Sequence, residues 1–176
     1  MQGESLVGEP YQVLVITGSG NDCTGLKKLF DTLVELQITF RAHVCSAHRD
    51  PERLRTIIAD AERDNVIAII CAAGMAAHLP GVVASLTTLP VIGLPLSGGI
   101  AGAWDALLAI VQMPPGVPVL TVGVDASVNA AVAGAQLVAL QNPQAKMHLQ
   151  DYRDQARSKN QKQDIELHEW LESNYK

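Results

Sequence analysis

Apolar residues are concentrated in five short runs along the chain, the second of which also contains Arg41 and His43, and longer amphipathic segments separate these runs. The runs predict β-strands at 12–17, 40–45, 66–71, 90–95 and 119–124. The other segments have apolar positions at helical spacing and predict helices at 24–36, 51–64, 103–112 and 126–140, with a short helix that ends near residue 87. The absence of polar alternation in the third run is typical of a parallel sheet covered on both faces. We therefore predict an α/β fold, a three-layer, doubly wound parallel sheet of about five strands, flavodoxin-like or Rossmann-like.

The C-terminal part of the chain is polar and predicts a helical tail. The core should cover about residues 12–142 and the tail about 143–176, and the tail helix could break near 158–161. The length of 176 residues is that of one domain, and neither an internal repeat nor an interdomain linker is visible. We therefore expect residues 1–176 to form a single domain.

Composition excludes several classes of protein. The apolar content of 48% is too high for a disordered chain, and the net charge of −5 gives no basic excess for binding nucleic acid. No apolar run reaches the roughly 18 residues of a membrane span. The N-terminus has neither the basic nor the apolar region of a signal peptide. We expect a cytoplasmic protein with no nucleic-acid or membrane partner.

Charge is unevenly distributed. In residues 66–145, Asp105 and Asp125 are the only Asp, Glu, Lys or Arg residues. One interpretation is a buried sheet with closely packed helices. Burial of helix faces between subunits is the favoured alternative, because depletion of charged residues is typical of interface cores.

Polar side chains follow four of the predicted strands. In an open parallel sheet, the loops after the strands meet at one edge, where ligands bind. The candidates are Ser19, Asn21 and Asp22 after the first strand, Ser46, His48 and Arg49 after the second, Gly74 and His78 after the third, and Ser97 and Gly98 after the fourth. We expect them to converge on one site.

His48 and Arg49 carry the strongest chemical signal among these candidates. An imidazole transfers protons near neutral pH, and the guanidinium beside it offers a planar fork to a phosphate or carboxylate. The alternative is a histidine that only caps or packs, beside a solvated arginine. For His78, a role in the site and a structural role as a hydrogen-bonded residue are equally expected. The glycine-rich turn at 18–20 lacks the third glycine of a dinucleotide-binding fingerprint. Taken alone, this turn is therefore best interpreted as a plain strand-to-helix turn.

The remaining histidines and cysteines do not indicate a metal site. The five histidines have neither HxH nor HxxxH spacing, and the three cysteines include no CxxC pair. Cys45 and Cys71 end predicted strands and should be buried. Cys23 lies at a predicted helix start, where a thiolate would be favoured.

Four segments together resemble the phosphoribosylaminoimidazole carboxylase family of purine biosynthesis. They are residues 18–22 (GSGND), 46–51 (SAHRDP), 76–81 (AAHLPG), and 110–114 (IVQMP) followed by 116–118 (GVP). Their order and spacing match the family over about residues 12–140. Residues 75–77 are Met-Ala-Ala, where the branch that uses free carbon dioxide usually has Arg-Ser-Asn. The resemblance therefore favours the mutase branch, which consists of isomerases.

The resemblance implies a reaction and a role for each candidate. A carboxylate moves from the exocyclic nitrogen of an aminoimidazole ribonucleotide to a ring carbon, through carbon dioxide held in the pocket and without a metal or organic cofactor. His48 matches the histidine that shuttles the proton. The implied substrate binders are Ser19, Ser46 and Arg49 for phosphate, Asp22 for ribose, the backbone of Gly74 and Ala76 beside the ring, and His78 as a second pocket histidine. The family also implies a homo-octamer with sites between subunits.

The chain departs from the family pattern around the expected ring pocket. Asn21, Cys23 and Thr24 replace a serine, a large residue and a proline, and Met75 replaces a glycine. Residues 97–103 (SGGIAGA), with Trp104 next, replace a Ser-Ala-Ala-Leu-Ser-Gly run. Two further hypotheses therefore stay open. One is a divergent relative that carboxylates or decarboxylates another nucleotide-like substrate, and the other is a non-catalytic ribonucleotide binder.

Overall fold

The chain forms a five-stranded, all-parallel sheet with helices packed against it. A computed structural model describes residues 10–99 and 101–175. The strands are β1 (Val13–Thr17), β2 (Phe40–Val44), β3 (Ala68–Gly74), β4 (Val91–Leu96) and β5 (Leu120–Thr121). The helices are α1 (Lys27–Glu35), α2 (Pro51–Arg63), α3 (Leu79–Ala84), α4 (Trp104–Val111), α5 (Ser127–Ala139) and α6 (Pro143–Asn174), and a short 3-10 helix (Gly20–Asp22) follows β1. The spatial order β2-β1-β3-β4-β5 is that of a flavodoxin-like doubly wound sheet, so the predicted fold class is confirmed.

The sheet has a hydrophobic core on each face. All five residues of β1 are buried, and its side chains alternate between the two cores. Val13 and Val15 join the core beneath α1, α5 and the start of α6, whereas Leu14 and Ile16 join the core beneath α2, α3 and α4. Burial on both faces accounts for the absence of polar alternation in the central strands.

The third strand is longer than predicted. The sequence pattern ended it at residue 71 and assigned 72–75 to a loop, but β3 continues to Gly74 and pairs Ala72 with Leu94 and Ala73 with Pro95. Both alanines are buried, and burial in the middle of the sheet outweighs the low intrinsic strand preference of alanine. The chain therefore leaves the sheet at Gly74.

The fifth strand is shorter than the predicted 119–124, because β4 lacks a backbone N–H donor that continued pairing with β5 would require. The Val122 amide still donates to the Gly93 carbonyl at 3.1 Å. In this parallel register, the next bond would run from the amide of residue 95 to the Val122 carbonyl. Residue 95 is a proline without an N–H group, so regular pairing ends at Thr121.

Three helix predictions were also wrong in part. Helix α1 begins at Lys27 instead of residue 24, because residues 23–26 form successive turns around Gly25. Helix α3 ends at Ala84, three residues before its predicted end. The predicted break in the tail is absent, and α6 runs without interruption through 158–161, which contain neither Gly nor Pro.

Strand β4 packs so closely under α4 that position 93 excludes a side chain. A Cβ atom at Gly93 would lie 2.8 Å from Cγ1 of Val119 and closer still to Cγ2 of Ile110. We expect Gly93→Ala to lower the free energy of unfolding by about 1–3 kcal/mol through overpacking, as measured by denaturant unfolding. The control is Gly20→Ala, where nothing lies within 4 Å of an added Cβ. Equal destabilisation by the two variants would contradict the prediction.

Candidate functional site

The loops after β1, β2, β3 and β4 surround one cavity of about 510 Å³ at the carboxyl edge of the sheet. This volume is in the usual range for small-molecule sites. The structure brings all the predicted site residues to its wall, namely Ser19, Asp22, Ser46, His48, Arg49, Gly74, Ala76 and His78, together with Asn21, Ser97 and Gly98. Two surface depressions of about 580 and 610 Å³ lie along α6, but each is lined by that single helix and encloses no convergent groups.

The loop after β1 presents a carboxylate and a hydroxyl. The buried Thr17 hydroxyl donates to Oδ2 of Asp22 at 2.9 Å and fixes that carboxylate at the end of the strand. The backbone amide of Asn21 donates to the Ser19 hydroxyl at 3.2 Å. Since Ser19 accepts in this bond, its own hydrogen can donate to a ligand oxygen.

The loop after β2 is fastened at both of its ends. The Asp50 amide donates to the Ser46 carbonyl at 2.9 Å, and the Asp50 carboxylate accepts from the Arg53 amide at 3.2 Å, which caps α2. Between these ends, the Arg49 guanidinium donates through Nη2 to the Gly18 carbonyl at 2.9 Å. This bond holds a positive charge beside the β1 loop.

His48 and His78 form a hydrogen-bonded pair. Nε2 of His48 lies 2.8 Å from Nδ1 of His78, and the rings meet edge to face with centroids 4.9 Å apart. One of the two facing nitrogens must donate and the other accept, so the pair shares one proton across this contact. His78 occupies the N-cap position of α3, but its side chain makes no capping bond there. Its hydrogen bond is made within the cavity.

The third and fourth loops contribute backbone. The Ala77 amide donates to the Gly74 carbonyl at 3.0 Å and closes a turn, in which Met75 has a φ of 55°. The Ser97 amide donates to Oδ1 of Asp125 at 2.9 Å. Sequence reasoning gave Asp125 no role, although it is one of two charged residues in 66–145 and directly follows the fifth apolar run. The predicted loop 97–103 includes Ile100, which lies outside the described residues.

The other titratable groups lie outside the cavity. Burial raises the pKa of the Cys45 and Cys71 thiols, as expected for core cysteines. Burial, with the charges of Arg41 and Arg53, lowers the pKa of His43 on β2. Cys23 is exposed and precedes α1 by several residues, so its predicted place at a helix start was wrong.

The described residues form neither a cluster of metal ligands nor a membrane-spanning helix. In 10–99 and 101–175, no three His, Cys, Asp or Glu side chains are grouped closely enough to hold a metal ion. Within the same residues, no helix has the length and apolar character needed to cross a membrane.

Comparison with known proteins identifies the family. Residues 12–159 match the family model described as AIR carboxylase. The chain belongs to the AIR carboxylase family. The resemblance drawn from the four segments is thereby confirmed, and the match extends into α6.

Individual relatives agree with the family model. The chain is 43% identical over 148 residues to N5-carboxyaminoimidazole ribonucleotide mutase of Pyrococcus abyssi, and the aligned region covers 84% of each protein. It is 44% identical over 147 residues to the protein of that name from Methanocaldococcus jannaschii, covering 84% of this chain and 91% of the relative. A crystal structure of Treponema denticola PurE aligns with a TM-score of 0.81 at 22% identity, over 88% of this chain and 97% of that one. This structural likeness supports the fold.

Proposed function

We propose that this AIR carboxylase family member interconverts N5-carboxyaminoimidazole ribonucleotide and carboxyaminoimidazole ribonucleotide, in purine biosynthesis in the cytoplasm. One observation carries the proposal. Two adjacent residues of the β2 loop reach different neighbouring loops, Arg49 to the Gly18 carbonyl and His48 to His78. An anion anchor and a proton-transfer group are thereby held at a fixed separation across one cavity. The relatives that carry the mutase name support the choice of reaction.

The proposed reaction needs one acid-base group. The bond between the exocyclic nitrogen and the carboxylate carbon breaks, and the nitrogen takes a proton from the His48 imidazolium. The released carbon dioxide stays in the cavity, and the ring carbon attacks it to form the new carbon–carbon bond. The ring carbon then returns its proton to His48. The protons balance through this imidazole, so the scheme includes no metal or organic cofactor.

The other site residues hold the substrate while the carboxylate moves. Ser19, Ser46 and Arg49 bind the phosphate, and Asp22 binds a ribose hydroxyl. The backbone of Gly74 and Ala76 forms the wall beside the ring, and His78 orients His48. Carbon dioxide is neutral and must be retained by shape and by exclusion of water. Buried alanines at 73 and 77 in the cavity wall suit this task.

The test is to incubate the purified chain with each isomer and follow the interconversion by absorbance. Conversion in both directions is the expected result. Binding of the ribonucleotide without turnover would instead indicate a non-catalytic binder. Turnover confined to another carboxylated nucleotide would indicate a divergent relative.

We also propose a homo-octamer with sites between subunits. Helix α4 supports this proposal, because Trp104, Leu108 and Val111 are spaced along one face and are 63%, 48% and 51% exposed. An apolar face of this kind, in a region with little charge, is typical of an interface core. Light scattering of the purified chain measures the assembly, and the mass of the 18.8 kDa monomer would contradict the proposal.

A further inference from the structure

Met75 stands where the backbone favours glycine. It is the first central residue of the turn closed by the hydrogen bond from the Ala77 amide to the Gly74 carbonyl. Its φ of 55° lies in the left-handed region, which is disfavoured for residues with a Cβ atom because that atom approaches the following carbonyl oxygen. Of the five other left-handed non-glycine residues in the described part of the chain, two, Asn65 and Asp125, belong to types that adopt this conformation more readily. Methionine has no such preference, so the local backbone does not explain its presence.

Core packing does not explain Met75 either. Its side chain is 67% exposed and joins neither hydrophobic core. Ala77, two residues later, is also left-handed but is 4% exposed and packs in the core beneath α3. The two residues thus share a strained turn and differ in surroundings. Met75 lines the cavity with an unbranched, polarisable thioether.

The polar contacts of the cavity indicate how a bound ribonucleotide is oriented in it. The Arg49 guanidinium is bonded to the Gly18 carbonyl, which places the cation beside Ser19 in the β1 loop. His78, which holds His48, directly follows the turn that carries Met75. The strand order β2-β1-β3-β4 places this cation at the β1 and β2 end of the cavity and the loops after β3 and β4 at the other. A ribonucleotide with its phosphate on the cation therefore extends its base toward the turn of residues 74–77. A thioether packs favourably against the face or edge of a planar heteroaromatic ring.

We propose that Met75 determines specificity by packing its thioether side chain against the base of the bound ribonucleotide. This inference rests on the proposed function, because it takes an aminoimidazole as the base. The side chain covers the ring and leaves the phosphate and ribose contacts to other loops. Its contribution should therefore be confined to ligands that carry a base.

The test compares two variants that keep the same backbone strain. Met75→Ala removes the bulk of the side chain, and Met75→Leu retains it. Calorimetry measures the affinity of each for aminoimidazole ribonucleotide and for ribose 5-phosphate, which lacks the base. We expect Met75→Ala to bind the ribonucleotide about 3- to 10-fold more weakly and ribose 5-phosphate unchanged. Met75→Leu keeps the volume but removes the sulfur, so its loss for the ribonucleotide should be smaller than that of Met75→Ala, with ribose 5-phosphate again unchanged.

Three results would overturn the inference. These are an equal loss for the two ligands in Met75→Ala, no change for either ligand, and failure of the wild type to bind the ribonucleotide. The readout is binding, so it separates this inference from the proposed reaction. A wild type that binds the ribonucleotide but does not interconvert the carboxylated isomers would contradict the reaction, and the Met75 comparison would keep its meaning.

Discussion

Replacement of His48 by asparagine is expected to lower kcat for the isomer interconversion by about 10²–10⁴-fold, the usual contribution of a positioned general acid-base group. The asparagine amide corresponds to the Nδ1 position of the imidazole and does not reach His78, whose Nδ1 lies 2.8 Å from the native Nε2. It cannot exchange a proton near neutral pH, so the leaving nitrogen and the ring carbon lose their proton donor and acceptor. Initial rates with both isomers measure the effect.

The control for this variant is the same substitution at His168. That residue lies on α6, is exposed and takes no part in the cavity. His168→Asn should retain wild-type kcat, and both variants should retain the thermal stability of the parent chain. A His48→Asn protein that is folded and turns over at the wild-type rate would remove His48 from the mechanism.

The sequence predicted the fold well because the decisive signals are local. The runs that became β1 and β4 are mostly apolar, and their positions were correct to within a residue at each end. The errors depend on a neighbouring strand. Pro95 of β4 truncates β5, and pairing with Leu94 and Pro95 extends β3 through two alanines. No pattern within the affected segments contains that information.

The residues at the site were predictable for a similar reason, and their contacts were not. In a parallel sheet the topology alone brings the loops after the strands to one edge, so the presence of Ser19, His48 and Arg49 at one cavity follows from strand order. The bond between His48 and His78 and the link from Asp125 to the Ser97 amide depend on loop backbone conformation. That conformation has no periodic signature in the sequence.

Arg49 offers the second large effect. We expect Arg49→Ala to raise KM for the ribonucleotide about 10- to 100-fold, since a hydrogen bond to a charged group contributes about 1.5–3 kcal/mol. The phosphate is held equally in the ground and transition states, so kcat should change little. Arg49→Lys keeps the charge but loses the planar fork, and its KM should lie between the values of the wild type and Arg49→Ala. Initial rates over a range of substrate concentrations measure both constants.

Arg53 provides a matched control for Arg49. Both guanidinium groups are exposed and both donate to a backbone carbonyl, Arg49 to Gly18 at 2.9 Å and Arg53 to Val44 at 3.2 Å, but only Arg49 lines the cavity. Arg53→Ala should therefore leave KM near the wild-type value. Equal increases in KM for the two alanine variants would show that general surface charge attracts the substrate. A fall in kcat alone for Arg49→Ala would assign this residue to the chemical step, because an anchor that binds both states equally cannot alter the rate of a bound substrate.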